Sequence, residues 1–357
     1  MSFRRFVNLV ASDCLQNTYT LRRIDVARLF LTTKIGNGKP LLGLDPPPTE
    51  DCRLPEPAMS FYQPMRDDYC GDMEFMLLNS KVVATDQTGC CFMYDPDLHA
   101  VRSLPSLATP KVRPISLAVG KNLYVLDRIP NSISGTGRTF EALIYDVPMP
   151  RLQGNWEQWR ALPPPPPTPG VPDDLDDGTM IDSIAAVAAR SHILVSICGG
   201  GGGGGGSRTY CFDTERLVWS EPAAWALPFA GRAEHIPSLH KLWFGISSGD
   251  HGYVFCASDL AATDVRQGSS PPVLHTVYDD MEGAPKDWKL IKGHAVHLGD
   301  GKFCIARFFS HEPTAGCPYF VVFAGVEVGC GDEGKLHIVR HKSERYIFVN
   351  EDYHWLL

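Results

Sequence analysis

The sequence predicts an all-β protein, and three features of the 357-residue chain support this prediction. Short runs rich in Val, Ile, Phe, Tyr and Cys recur between Gly, Pro, Asp and Asn, which is how strands and turns alternate along a chain. No convincing stretch carries apolar residues at the i, i+3, i+4 and i+7 spacing of an amphipathic helix. The 33 glycines and 29 prolines supply turns at short intervals.

The composition is that of an ordinary globular protein, with 44% hydrophobic residues, 21% charged residues and a net charge of -8. This is enough apolar material for a sizeable core, and it excludes wholesale disorder, collagen and coiled coils. The acidic balance argues against a general nucleic-acid binder. A local basic group, formed by Arg4, Arg5, Arg22, Arg23 and Arg28, is interpreted as a solvated rim.

Neither a signal peptide nor a membrane span is predicted. The apolar run at 6–10 is too short for a secretory core, and no stretch approaches the ~20 apolar residues that cross a bilayer. The 11 cysteines are an odd number without a CxxC pair, which is typical of reduced thiols used as small apolar side chains. We therefore expect a soluble protein of the cytoplasm or nucleus.

One cassette of strands recurs along the chain, most clearly at 114–164. Its third strand ends in an aromatic residue and an acidic one, and a later strand carries Trp or Leu-Pro. A short carboxylate at that place can accept hydrogen bonds from the amides of the following turn, while Trp and Leu-Pro are expected to pack between neighbouring sheets. The acidic residues that mark six such units are Asp25, Asp95, Asp146, Asp213, Asp259 and Glu327.

Antiparallel strands repeated around a ring predict a single β-propeller of six four-stranded blades, covering residues 1–357. The first unit is one strand short and the last has an extra strand, so a C-terminal strand at 345–349 is expected to complete the N-terminal blade. The blades are predicted at 1–33 with 345–349, 59–105, 114–164, 181–228, 231–290 and 293–340.

Long loops are predicted at 34–58, 163–180 and 261–287, and a mobile hairpin tip at the glycine tract 199–206. Binding residues concentrate in loops that a rigid scaffold holds in place. The binding face is therefore expected among these three loops.

Several strand motifs resemble one protein family: RFVNLV at 5–10, YTLRRID at 19–25, KNLYVLD at 121–127, LWFG at 242–245 and GKFCIARFF at 301–309. They look like a large plant family, expanded in grasses and defined by a domain of unknown function with kelch-like or F-box-associated-like propeller character. The resemblance spans nearly the whole chain. It implies the propeller fold and transfers no activity or site residue.

Short motifs of enzyme chemistry occur in the chain without the structural context that they need. GxSxG at 245–249 lies between two strands and reads as a hairpin turn, and GxGxxG at 329–334 is followed by a strand instead of a helix. The histidine pairs at 294–297 and 337–341 cannot chelate one ion from a regular strand. No catalytic, cofactor-binding or metal-binding residue is predicted.

The sequence favours a non-catalytic scaffold that presents propeller loops to a protein partner and uses no cofactor. The alternative is an enzyme or small-ligand binder with a site at the mouth of the central channel. Channel residues come from different blades, so their convergence cannot be read from spacing along the chain. The sequence specifies neither the partner nor the oligomeric state.

Overall fold

The prediction of an all-β protein is confirmed by the structure, a computed structural model. No helix in the described part of the chain is long and apolar enough to span a membrane. The described residues are 3–13, 18–30, 49–62, 73–111, 113–129, 139–146, 155–166, 180–187, 191–198, 206–220, 222–261, 270–279, 285, 287–311, 319–331, 335–349 and 351–357.

The described ranges form 25 strands, together with short 3-10 helices at Val26–Leu29 and Gly249–His251. In chain order the strands are β1 (Phe6–Asp13), β2 (Thr18–Asp25), β3 (Glu50–Cys52), β4 (Met59–Tyr62), β5 (Glu74–Leu78), β6 (Lys81–Thr85), β7 (Cys91–Asp95), β8 (Ala100–Leu104), β9 (Ile115–Val119), β10 (Asn122–Leu126), β11 (Phe140–Asp146), β12 (Asn155–Ala161), β13 (Met180–Val187), β14 (His192–Cys198), β15 (Arg208–Asp213), β16 (Val218–Trp219), β17 (Phe229–Ile236), β18 (Leu242–Ser247), β19 (Phe255–Ser258), β20 (His275–Tyr278), β21 (Trp288–Gly299), β22 (Lys302–His311), β23 (Phe320–Cys330), β24 (Leu336–Ile347) and β25 (Glu351–Leu356).

The chain divides into two compact units. The first unit comprises Met1–Tyr62, Ile236–Ala257 and His275–Leu357, and the second comprises Gln63–His235 and Ser258–Leu274. In the second unit the strands form successive antiparallel groups of four, β5–β8, β9–β12 and β13–β16, and β17 pairs in parallel with β13. In the first unit the strand orders are β25-β1-β2-β4, β18-β19-β20 and β21-β22-β23-β24-β3.

The middle sheet of the second unit is buried on both of its faces. Along β10, Leu123 and Val125 belong to the core that this sheet shares with β5–β8, whereas Tyr124 and Leu126 belong to the core that it shares with β13–β16. Successive side chains of a strand point to opposite faces, so an apolar run without polar alternation is what such a sheet requires.

The first unit uses the same arrangement. Along β22, Phe303 and Ile305 pack towards β18–β20, and Cys304, Ala306 and Phe308 pack towards β1 and β2. The five-stranded sheet therefore has a core on each face, one of them shared with the sheet that contains the N-terminal strand.

Tryptophan side chains connect neighbouring sheets of the second unit, as the repeated cassette predicts. The indole N–H of Trp159 donates to the carbonyl of Pro105 at 2.9 Å, and that of Trp219 donates to the carbonyl of Pro163 at 2.9 Å. Each proline directly follows a buried leucine, near the end of the last strand of the neighbouring sheet. Two pairs of neighbouring sheets are thus connected by the same kind of hydrogen bond.

The strand that completes the N-terminal sheet is β25, not the predicted segment 345–349. β25 pairs antiparallel with β1, for example through Val10 and Trp355. The segment 345–349 begins as the end of β24, which is 12 residues long and pairs with β23 through Tyr346 and Val321. An apolar segment identifies a strand, but its partner is decided by hydrogen bonding that spacing does not reveal.

The predicted loops also contain strands. β3 lies within the predicted loop 34–58, where it pairs in parallel with β24, and β20 lies within the predicted loop 261–287. β3 has three residues and β20 has four. Such short strands form by pairing with a neighbouring strand, and weak local strand propensity does not predict them. The tract 199–205, most of the predicted glycine tip, and residues 31–48, 167–179 and 262–269 lie outside the described residues.

A buried ion pair fixes the connection between β8 and β9. Lys111 Nζ lies 2.6 Å from Glu141 Oε1, and both side chains have no solvent exposure. Glu141 also accepts hydrogen bonds from the backbone amides of Ala108 at 3.1 Å and Thr109 at 3.4 Å. One carboxylate on β11 therefore holds both the charge and the backbone of this connection.

Replacing only the lysine should be strongly destabilising. Lys111→Met leaves Glu141 buried without its counter-charge, and we expect a loss of about 3–5 kcal/mol in the free energy of unfolding. Adding Glu141→Gln should recover much of that loss, because the amide is neutral and keeps an acceptor oxygen. Urea unfolding measures the stability of the single and the double variant. Lys289→Met, at an exposed lysine of β21, is the control. A single variant within about 1 kcal/mol of the wild type would contradict the role of the pair.

Candidate functional site

Most of the predicted turn carboxylates bind backbone amides of the turn that follows them. Each of them lies at a different turn. The bonds are those from Ala27 N to Asp25 at 3.2 Å, from Asp97 N and Leu98 N to Asp95 at 3.1 and 3.3 Å, from Glu215 N and Arg216 N to Asp213 at 2.9 and 2.8 Å, and from Ala261 N to Asp259 at 2.9 Å.

These bonds favour the charged carboxylates. The amide of Arg216 lowers the pKa of Asp213, and the guanidinium of Arg5 lowers the pKa of Asp25. A carboxyl whose anion is stabilised in this way is a poor proton donor near neutral pH. The geometry is that of carboxylates that stabilise turns. That these positions are equivalent members of a repeat stays a prediction.

Asp146 and Glu327 are placed differently. Asp146 is the last residue of β11, and the turn predicted after it, 147–154, lies outside the described residues. Glu327 lies inside β23 and precedes no turn, because the strand continues to Cys330 in register with β24. Its carboxylate instead faces two side chains, with Oε2 at 3.4 Å from His341 Nε2 and 3.9 Å from Lys302 Nζ.

The GxSxG motif does not present a reactive serine, and residues 332–334 of GxGxxG lie outside the described residues. In GxSxG, the hydroxyl of buried Ser247 accepts a bond from the amide of Val254 at 2.9 Å, and the following 3-10 turn ends at Gly252 with φ 77°. Burial raises the pKa of Cys211 to about 11 and that of Cys256 to about 12, so both remain protonated thiols. Within the described ranges, no cluster of His, Cys, Asp and Glu is arranged to hold a metal ion.

A pocket of about 470 Å³ opens on the first unit, within the size range of about 300–1,000 Å³ that is typical of ligand sites. We call it the arginine pocket. Strands β2, β3, β24 and β25 and the segments that follow β3 and β24 build its walls. Its lining residues are Arg22, Asp51, Cys52, Arg53, Leu54, Arg345, Ile347, Val349 and Glu351.

One wall depends on the parallel pairing of β3 with β24, which places Asp51 opposite Arg345. The Arg345 guanidinium binds both carboxylate oxygens of Asp51, at 2.6 and 2.8 Å, and lies against the rings of Trp288 and Phe320. This bidentate contact lowers the pKa of Asp51 and holds both side chains in a fixed orientation.

The opposite wall depends on the pairing of the C-terminal strand with the N-terminal sheet. Arg22 of β2 binds Glu351 of β25 at 2.8 Å, and its Nε donates to the carbonyl of Pro55 at 3.0 Å. The side chains of Arg22 and Glu351 are only 11% and 12% exposed. Arg22 is therefore part of a pocket wall and not of the solvated rim that the sequence suggested.

Two kinds of side chain in the pocket remain open to solvent. Arg53 is exposed, and within the described ranges it has no hydrogen-bond or ion-pair partner. Beside it, Ile347 is 45% exposed and Val349 is 73% exposed. The pocket thus offers one free guanidinium next to an aliphatic surface.

The arginine pocket has the chemistry of a binding site. Its two carboxylates are engaged by guanidinium groups, and burial raises the pKa of Cys52, so the pocket contains neither a free base nor a thiolate. An anionic group could bind Arg53 while an apolar group covers Ile347 and Val349. The sequence placed a binding loop at 34–58, and residues 51–54 of that segment do line the pocket.

Comparison with known proteins assigns the chain to a family. A family model described as "Protein of unknown function (DUF1668)" matches residues 4–346. The chain belongs to this family. The predicted resemblance to a family of unknown function is thereby confirmed, and the DUF1668 description attaches no activity to it. None of the curated proteins matches the chain.

Solved structures similar to this DUF1668 protein share little sequence with it. The N-terminal domain of Nup159 has 10% identity over 97% of this chain and 90% of its own, with a TM-score of 0.35. The β-propeller domain of Myceliophteria thermophila Cps50 (Swd1) has 13% identity over 75% and 95%, with a TM-score of 0.29. A complex of KlAtg21 with the coiled-coil of AgAtg16 has 9% identity over 97% and 100%, with a TM-score of 0.37.

The buried histidine beside Glu327 should make stability depend on pH. His341 is 6% exposed and packs against Phe30, and burial lowers its pKa below 6.5 despite the opposing effect of Glu327. The folded protein therefore binds the proton less readily than the unfolded chain. The contribution of His341 to stability is complete above pH 6.5 and is lost as the pH falls below that value.

Urea unfolding of the wild type and of His341→Gln at about pH 7.5 and about pH 5 measures this effect. The wild type should lose more stability on acidification than the variant. His275→Gln, at an exposed histidine of β20, is the control and should behave as the wild type. Equal losses in the wild type and His341→Gln would show that His341 is not responsible.

Proposed function

We propose that this protein is a non-catalytic interaction scaffold that binds a protein partner at the arginine pocket. The observation that carries the proposal is the exposed pair Ile347 and Val349 beside the free guanidinium of Arg53. Exposed aliphatic side chains held on a rigid frame and bordered by charge are typical of a protein-binding patch. The ion pairs of Arg22 and Arg345 keep the walls of this patch in place before any partner binds.

For the whole chain, 1–357, we propose a single propeller of six four-stranded blades with kelch-like character. Two observations support this, namely the face-to-face packing of successive sheets inside each unit and the completion of the N-terminal sheet by β25. The turn residues that bind backbone amides would then occupy equivalent places in the blades. The free thiols in the described ranges favour the cytoplasm or nucleus as its location.

An enzyme or small-ligand binder with a site at a central channel is the competing function. It predicts that pocket substitutions leave the function unaffected, because its residues would come from the innermost strands. The scaffold proposal predicts the opposite result, so substitutions in the pocket separate the two.

Affinity capture with a pocket variant tests the proposal. The tagged protein is incubated with an extract of tissue that expresses it, and captured proteins are quantified by mass spectrometry. Val349→Ser should reduce the yield of a stoichiometric partner by about tenfold, because contacts with an exposed apolar anchor are lost. Leu98→Ser is the matched control, since Leu98 is 74% exposed and lies in the second unit. Thermal melts establish that both variants are folded.

Two results would overturn the scaffold proposal. One is capture of the same partner at equal yield by the wild type and Val349→Ser, which would exclude the pocket as the binding site. The other is the absence of any stoichiometric partner of the wild type in that extract.

A further inference from the structure

We infer that the partner presents a single carboxylate side chain flanked by aliphatic residues, with the carboxylate on Arg53 and an aliphatic neighbour on Ile347 and Val349. This inference rests on the proposed function and specifies the chemistry of the partner segment. It follows from the charge of the pocket, from the way its side chains are held, and from the position of its apolar surface.

The charge of the arginine pocket is nearly balanced. Three arginines and two carboxylates line it, and two of the arginines are paired with those carboxylates at 2.8 and 2.6 Å. One positive charge, on Arg53, is left over. A single carboxylate neutralises it, whereas a phosphate monoester brings about −1.5 to −2 charges at neutral pH.

The two carboxylates also select against nucleic acid. Asp51 is 66% exposed at the edge of the pocket, and it would repel the many charges of a phosphate backbone more strongly than the one charge of a carboxylate. Each wall guanidinium already has a carboxylate partner, so binding a run of phosphates would require breaking both ion pairs. An incoming carboxylate on Arg53 leaves both pairs intact.

The apolar part of the site is held by the core of the first unit. Cys52 and Leu54 pack against the core cluster that contains Tyr346 and Phe348, and they border Arg53 in the chain on both sides. Arg53 is therefore exposed on a backbone that the core holds in place. Ile347 and Val349 border the same pocket, and exposed apolar surface of this kind is stabilised when a partner removes it from water.

Peptide binding to the full-length protein tests this inference. The probes are two fluorescent libraries of capped heptapeptides with Leu, Ile or Val around a central position. The central residue is Asp or Glu in the first library and Asn or Gln in the second. A third library carries phosphoserine at the centre. Fluorescence anisotropy gives the affinity of each library for the wild type, Arg53→Gln, Val349→Ser and the control Arg216→Gln, an exposed arginine of the second unit.

The acidic library should bind the wild type about tenfold more tightly than the amide library, since an amide carries no negative charge to pair with the guanidinium. Arg53→Gln should abolish this preference and leave the amide library unaffected. Val349→Ser should weaken both libraries, and Arg216→Gln neither. The preference should also decrease as salt is added, because the pair is near the surface.

Three results would overturn the inference. They are an equal preference for acidic peptides in Arg53→Gln, tighter binding of the phosphoserine library than of the acidic library, and no binding of acidic peptides below about 1 mM. If any of these occurs while affinity capture still depends on Val349, the scaffold proposal stands and only the carboxylate assignment fails. If capture does not depend on Val349, the proposed function itself fails.

Discussion

The burial of both faces of each middle sheet is the constraint on which the rest of the structure depends. Strand β10 contributes alternate side chains to two different cores, and β22 does the same in the first unit. Such a sheet is stable only when another sheet covers each face, because exposed apolar surface costs about 25 cal/mol per Å². Face-to-face stacking of sheets inside each unit follows from this requirement.

Several polar groups between the stacked sheets form hydrogen bonds with nearby groups. The indole N–H groups of Trp159 and Trp219 donate to proline carbonyls that follow the last strand of the neighbouring sheet. The carboxylate of Glu141 accepts hydrogen bonds from two backbone amides and forms an ion pair with a lysine. Turn carboxylates bind the amides that no strand pairs. Each of these bonds lets the chain leave one sheet and enter the next without burying an unpaired polar group.

The arginine pocket is a consequence of the same architecture. A short strand, β3, and the C-terminal strand, β25, both pair with longer neighbours, and side chains of both line the pocket. Ion pairs fix the walls, and the core fixes Cys52 and Leu54. Arg53, Ile347 and Val349 remain exposed in this pocket and are free to contact a partner.

The sequence by itself determined the class of fold and most strand positions, because these depend on neighbours within a few residues. It also indicated that Trp and Leu-Pro segments pack between sheets, as Trp159 and Trp219 do. It predicted that 345–349, and not β25, completes the N-terminal sheet. It also predicted a turn after Glu327, which lies inside a strand. The arginine pocket was decided only by the tertiary structure. Arg22, Arg53, Arg345 and Glu351 are far apart in the chain, and strand pairing, which depends on hydrogen bonds between distant segments, is what brings them together.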